Sequence, residues 1–224
     1  MWEEEEELQL KGTSRMIDVA FRIECKTLPY DHACDLSNEI TKNLPWLLDD
    51  QLTGIQTLHG PESGNGWVRS EKEEIFLSKR TRLVLRIPRG DIYKVKELEN
   101  IEINVLGNNI KIGKSNTKTF LIVRDLISRF VLCDKDETEE EFLLGVKKEL
   151  LTHGVSIKKA ICGKAKSLTI NGKSKITRSL MIADLSKENS VLLQDTGVGS
   201  GRIYGCGIFL PHKSIDAVSG FKED

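Results

Sequence analysis

Residues 16–47 read MIDVAFRIECKTLPYDHACDLSNEITKNLPWL, and this stretch decides the architecture. Ile17, Val19, Phe21, Ile23 and Cys25 alternate with Asp18, Ala20, Arg22 and Glu24, so Met16 to Thr27 carries the period-two pattern of a half-buried strand. Leu28-Pro29 breaks the pattern. Asp31 is placed to cap a helix on which Ala33, Leu36, Ile40, Leu44 and Leu47 recur at helical spacing, with Pro45 ending or kinking the run. A strand followed by an amphipathic helix therefore opens the fold.

The rest of the first half extends that unit. Thr53 to His59 predicts a short strand, and Gly60 to Gly66 (GPESGNG) a loop. Glu74 to Pro88 is strand-rich, with Leu83, Leu85 and Ile87 alternating with Arg82, Val84 and Arg86. Asp91 to Leu98 predicts a short helix, and Ile101 to Ile112 a strand or hairpin turning at Gly107-Asn108-Asn109.

The second half repeats the order. Leu121 to Cys133 is apolar and β-branched, and Thr138 with Glu141 forms a capping-box pattern ahead of Phe142, Val146 and Leu150. Gly154 suits a left-handed helix end. Strands are expected at Ile157 to Ile170 and Lys175 to Leu185 around the turn pair Asn171-Gly172. Ser186 is placed to cap a short helix, Glu188 to Gln194, before a last strand at Gly207 to Leu210. Two βαββαβ units follow from this order, an α+β fold of two tandem ferredoxin-like (RRM-like) domains. The expected division is an acidic leader (1–15), domains at 16–116 and 117–215, and a tail (216–224). The two units meet near Lys114 to Thr119.

Length and composition agree with two small domains. The chain has 224 residues, each half large enough to bury a core without staples. Apolar runs such as Leu83 to Ile87 are too short for a bilayer. The N-terminus opens on Glu3 to Glu7 instead of a basic flank and apolar stretch, so the cytoplasm is expected. Cys25, Cys34, Cys133, Cys162 and Cys206 show no metal-knuckle or redox spacing, and Cys133 and Cys162 read as small apolar residues.

Net charge is −1, which by itself argues against a general nucleic-acid binder. Its distribution argues the other way. No acid occurs from Leu150 to Ala183, where Lys158, Lys159, Lys164, Lys166, Lys173, Lys175 and Arg178 lie. Such segregation suits either one basic face for a polyanion or a solvated strand surface. Between the last helix and strand, Gly197-Val198-Gly199-Ser200-Gly201-Arg202-Ile203-Tyr204-Gly205-Cys206-Gly207 carries glycines at Gly197, Gly199, Gly201, Gly205 and Gly207. Glycine permits close backbone approach, so this loop reads as a phosphate cradle centred on Arg202, or as a plain turn. It is no Walker loop, because it follows a helix and opens a strand.

This glycine-rich stretch, from Leu192 to Phe209, resembles the C-terminal signature of the RAMP superfamily of CRISPR-associated proteins. Val19-Ala20-Phe21, the Leu28-Pro29-Tyr30-Asp31-His32-Ala33 run and Ser167-Leu168-Thr169-Ile170-Asn171-Gly172 are similar to segments of its repeat-processing endoribonuclease family, Cas six, in a subfamily first described from myxobacteria. The resemblance implies tandem ferredoxin-like domains and metal-independent cleavage of a CRISPR repeat RNA hairpin, without cofactor. Implied products are guide RNAs with 2′,3′-cyclic phosphate and 5′-hydroxyl ends. A non-catalytic RAMP subunit holding guide RNA in an effector complex is the alternative, and other CRISPR-associated proteins are implied partners.

Such chemistry needs a base for the 2′-hydroxyl, donors for the phosphorane and an acid for the 5′-oxygen. Imidazole titrates at about 6.5 and suits the base. Family logic places a catalytic histidine on or beside the first helix, which selects His32. Tyr30 is expected to donate to the phosphate, position the ribose or staple the helix. His59 is the second candidate; His153 reads as a helix-end residue and His212 as surface. Lys42, Arg80, Arg82 and Arg202 compete as cationic partner. The lysines from Lys158 to Lys175, with Arg178, are expected to grip the RNA by its phosphates. The acids show no compact metal-ligand spacing.

Overall fold

A computed structural model describes residues 9–10, 12–60 and 74–212. The Glu3 to Glu7 tract, positions 61–66 of the expected loop and the 216–224 tail lie outside the described residues. The fold is α+β. In the first half run β1 (Met16–Glu24), β2 (Thr27–Pro29), α1 (Ala33–Asn43), β3 (Gly54–Ile55), β4 (Glu74–Phe76), β5 (Arg82–Pro88), α2 (Ile92–Val95), β6 (Glu102–Val105) and β7 (Asn108–Lys118). Five of the strands form an antiparallel sheet in the order β3-β5-β1-β7-β6, while β2 and β4 pair as a separate ribbon.

Alternation in β1 sends Ile17, Val19, Phe21 and Ile23 into one core with Leu83, Leu85 and Ile87 of β5 and Leu36, Ile40 and Leu44 of the α1 segment. Each large aliphatic side chain so buried contributes about 1.5–3 kcal/mol. The opposite face of β1 is buried as well: Met16 packs with Phe120 and Val191.

The second half contains β8 (Leu126–Cys133), α3 (Glu139–Thr152), β9 (Lys159–Cys162), β10 (Lys166–Ile170), β11 (Lys173–Ala183), α4 (Lys187–Thr196) and β12 (Leu210–Pro211). Its sheet runs β10-β11-β8-β12, with β9 also on β11. Leu126, Val131, Leu180 and Ile182 pack against Phe142, Val146 and Leu150 of α3 and Leu193 of α4. Thr138 and Glu141 make the capping box, Ser186 accepts from the Asn189 amide, and Gly154 and Asn171-Gly172 take left-handed backbone, all as expected.

Two joints lock the halves together. Arg86 of β5, 2 % exposed, forks onto the Asp18 carboxylate opposite it on β1 (2.8 and 3.0 Å). Its remaining nitrogen donates to the carbonyls of Gln194 (2.7 Å) and Phe209 (3.1 Å) in the second half. The Asp195 carboxylate, at the end of α4, accepts from Ser14 Oγ and the Met16 amide, both at 2.7 Å. The second joint is the glycine-rich loop. A Cβ at Gly205 would lie 2.6 Å from Thr57 Cγ2, and one at Gly207 would lie 1.9 Å from the Val198 carbonyl oxygen. These glycines serve close packing of backbone on backbone.

Several elements differ from expectation. Asp31 does not cap α1: His32 is the cap residue and makes no side-chain capping bond, because the Asp31 carboxylate turns outward to the Thr169 amide (3.2 Å). Ile157 to Ile170 is two strands, broken where the Gly163 amide bonds the Ser179 carbonyl beside an irregularity in β11. Glu74 to Pro88 likewise divides, since β4 leaves the sheet for β2. The β6–β7 turn uses Leu106-Gly107, and β7 runs to Lys118, past the expected boundary after residue 116. The last strand shrinks to Leu210–Pro211 because Gly207 bends away, donating to Phe130 O and accepting from the Val198 amide.

Arg86→Ala would strand the Asp18 carboxylate beside two buried carbonyls, so urea unfolding should show a loss of about 3–5 kcal/mol; a loss below about 1 kcal/mol would contradict the strut. Gly172→Ala, in open space at φ +71, should cost about 1–2 kcal/mol, and Gly207→Ala markedly more in the same assay.

Candidate functional site: a histidine- and arginine-lined cleft between the halves

The helix-free side of the second sheet faces the start of α1 and the segment after β3. Between them lies a cavity of about 270 Å³, lined among others by Tyr30, His32, His59, Arg129 and Lys166. It adjoins a groove of about 640 Å³ where His59 and Arg129 recur with Arg80, Arg82 and His212.

His32 sits at the cavity wall but is only 2 % exposed. Its Nδ1–H donates to the Pro29 carbonyl (2.8 Å), and its Nε2 accepts from the Leu58 amide (3.2 Å). That pair of bonds requires the neutral ring. Burial pushes its pKa below the usual 6.5, against the raising effect of the Pro29 and Tyr30 carbonyls and Asp31, so charge and geometry agree. Both ring nitrogens of His32, the expected base, are thus bonded to backbone at the wall of the cavity. Tyr30, half-buried on the first core, does line the cavity.

His59 differs. Its ring is exposed and lines both cavities, and its Nδ1 lies 3.2 Å from the Thr57 carbonyl oxygen, which accepts a hydrogen bond from it. The backbone beneath it is held at every step: Ile55 pairs Leu85, the Gln56 amide bonds Val84 O (2.9 Å), and Leu58 bonds His32. After it, a Cβ at Gly60 would lie 2.8 Å from the Phe76 carbonyl oxygen.

Of the cationic candidates, Arg80 and Arg82 line the larger groove, where Arg82 also donates to the Lys79 and Thr81 carbonyls. Lys42 is exposed in the last turn of α1, outside both linings. Sequence reasoning passed over Arg129, the half-buried β8 residue that lines both cavities with His59. Its signal was a cation inside the apolar stretch Leu121 to Cys133.

The glycine-rich loop packs against its own neighbours. Arg202, 7 % exposed, donates to the Gly199 carbonyl (2.8 Å) and to Thr196 O, and the Gly199 amide is taken by Glu149 Oε1 (2.7 Å). A Cβ at Gly197 would strike Gly207 O at 2.3 Å, and one at Gly201 would meet Leu132 Cδ1 at 3.0 Å. Gly197, Gly199, Gly201 and Arg202, expected as RNA ligands, thus make hydrogen bonds within the protein, to one another in the Arg202–Gly199 bond and otherwise to neighbouring residues.

The basic stretch divides. Lys158, Lys164, Lys166, Lys173 and Lys175 are exposed, and Lys166 borders the cavity. Lys159 pairs with Asp184. Arg178, 11 % exposed, braces α3 through Glu139 and the Glu137 carbonyl, so it belongs to the fold. His153 is the exposed end of α3, as expected, whereas His212 is half-buried in the larger groove with Nδ1 unpartnered. Burial raises the Cys206 thiol to about 12. Among the described residues no group of three or more His, Cys, Asp or Glu is arranged to hold a metal ion, and no helix is long and apolar enough to cross a membrane.

Comparison with known proteins converges on one family. A family profile described as Cas6 Crispr matches residues 17–214. The chain is 26% identical over 195 residues to the CRISPR-associated endonuclease Cas6 of Myxococcus xanthus (strain DK1622), covering 87% of this chain and 81% of that one. In fold it is similar to the product of a Cas6-related gene from Pyrococcus furiosus (TM-score 0.61, 14% identity, 87% of this chain and 98% of that chain). It is also similar to a RAMP protein described as binding different RNA substrates (TM-score 0.59, 12% identity, 86% and 98%). A profile spanning nearly the whole chain, both halves included, makes this protein a member of the Cas6 family of CRISPR-associated endonucleases.

Proposed function

We propose that the chain cuts CRISPR repeat hairpins in the cleft between its halves, by attack of the ribose 2′-hydroxyl on the adjacent phosphate and without a metal. The observation that carries this reading is the gathering of His59, Tyr30, Arg129 and Lys166 in one cavity beside exposed lysines. An imidazole removes the 2′ proton, guanidinium and phenol donors hold the phosphorane oxygens, and the products end in 2′,3′-cyclic phosphate and 5′-hydroxyl.

The two halves are read as ferredoxin-like modules, divided between Lys118 and Leu126. Support comes from the shared strand order: second, third, first, fourth in each sheet, with β9 and β10 together filling the second place. Lys158, Lys164, Lys173 and Lys175 are exposed on the second module, where A-form RNA would be held by its phosphates. Product RNA is a guide for partner proteins of a cytoplasmic CRISPR effector complex.

The test is incubation with the repeat hairpin from the protein's own genome in EDTA. Cleavage with a cyclic-phosphate end, abolished by a 2′-deoxy scissile nucleotide, is expected; loss of cleavage in chelator contradicts the metal-free step, and binding without any cleavage favours a guide-holding subunit. Replacing Lys164, Lys173 and Lys175 with Gln should weaken binding of the deoxy-blocked hairpin and reduce the log–log salt slope by about 2.

A further inference from the structure

The face of β1 that carries Met16 and Asp18 under the second half carries Arg22 and Glu24 further along, in solvent. Arg22 lies directly opposite Arg82 of β5, and like charges so placed repel. On its other side the β1–β7 register slips between Phe21 and Ile23, and there β7 supplies Gly113 and Lys114. A Cβ on Gly113 would lie 3.5 Å from Arg22 Cβ, so the glycine forms the floor beside the arginine. The neighbouring charged rows are matched: Glu24 faces Lys111, which faces Glu102 on β6, and Asp18 lies between Arg86 and Lys118. Among the described residues the row of Arg82, Arg22 and Lys114 has no carboxylate opposite it. Glu99, which feels Lys114, is taken by the Ser115 amide and hydroxyl (2.9 and 2.6 Å). Arg22 and Lys114 are exposed and line a groove of about 630 Å³ with Asn100 and Asn116, while Arg82 lines the groove that adjoins the cleft. The row therefore joins the two grooves across β1.

We propose that this row is a phosphate track for the single-stranded RNA flanking the repeat hairpin, which leaves the cleft across β5, β1 and β7. The assignment rests on the nuclease reading and extends it to substrate lying outside the cleft. Neighbouring strands are about 4.8 Å apart, so the row spans about 10 Å, enough for two phosphates. Anions seated there turn a repulsion between cations into shared charge-assisted hydrogen bonds. Asn100 and Asn116 add neutral donors along the same path. None of the residues lining the second groove is aromatic, so the strand is held by its backbone without base stacking and without regard to sequence. Continuity with the groove beside the cleft favours this RNA over an acidic protein surface as the occupant.

Three hairpins with the 2′-deoxy block separate the track from the cleft: one trimmed to its stem and loop, one with its 5′ flank and one with its 3′ flank. Their binding is measured across a salt series for wild type and for the double variant Arg22→Gln, Lys114→Gln. One flank should tighten wild-type binding at least about fivefold, and the variant should lose that gain together with about 1 from the log–log salt slope. The trimmed hairpin should bind both proteins within about twofold, because its phosphates lie elsewhere. The variant's urea midpoint should equal or exceed that of wild type, since a like-charge pair is relieved. A wild type that binds trimmed and flanked hairpins equally overturns the track alone. So does a variant that keeps the gain, one that weakens on all three RNAs alike, or one whose urea midpoint falls. A wild type that binds no repeat hairpin overturns the nuclease reading together with it.

Discussion

Arg86 carries a full charge into a site that is 2 % exposed, and the arrangement of the two halves depends on how that charge is met. Removing an arginine from water costs several kcal/mol unless its donors are satisfied. Here four hydrogen bonds are made, two to Asp18 and one each to the Gln194 and Phe209 carbonyls, with the Phe120 ring 4.5 Å from the guanidinium carbon. Two of those bonds lie within the first sheet and two cross to the second half. The guanidinium therefore fixes the end of α4 and the last segment of chain against β1 and β5. Misplacing either half would strip the buried guanidinium of its two carbonyl partners, so the geometry is specified as well as held.

The cleft follows from that docking. With α4 and Phe209 seated on one face of the first sheet, the glycine-rich loop falls against Ile55 and Thr57, where only glycine permits the approach. The same docking brings the start of α1 to the second sheet, so that Ala33 packs with Leu168, Ile170 and Cys206 and Asp31 meets the Thr169 amide. His32, buried at this corner, ties α1 to the segment after β3 that carries His59. Loop, corner and the segment after β3 meet around the cavity that His59, Arg129 and Lys166 line.

Much of the fold was legible in sequence because local rules and tertiary demand coincide there. The alternation of β1, the capping box at Thr138 and the turn at Asn171-Gly172 each state one structure unambiguously. What stayed hidden depends on long-range pairing. Arg86 sits on the polar side of a strand alternation and reads as solvent-facing; that a second sheet's helix covers it is information no local window holds. Arg202 and Arg178, cations in a glycine-rich and a lysine-rich stretch, turn inward to carbonyls, which no local pattern shows either. The Asp-His run at residues 31–32 lies at the corner where α1 meets the second sheet. Its histidine is drawn inside by a backbone amide 26 positions away, and the exposed ring belongs to the less conspicuous His59.

The most direct test is the structure of the protein with its repeat hairpin carrying a 2′-deoxy nucleotide at the cut. The scissile phosphate should lie in the cavity between His59 and Arg129, with the duplex along the lysines of β10 and β11. A scissile phosphate seated on the glycine-rich loop, or anywhere outside the cleft between the halves, would contradict the account.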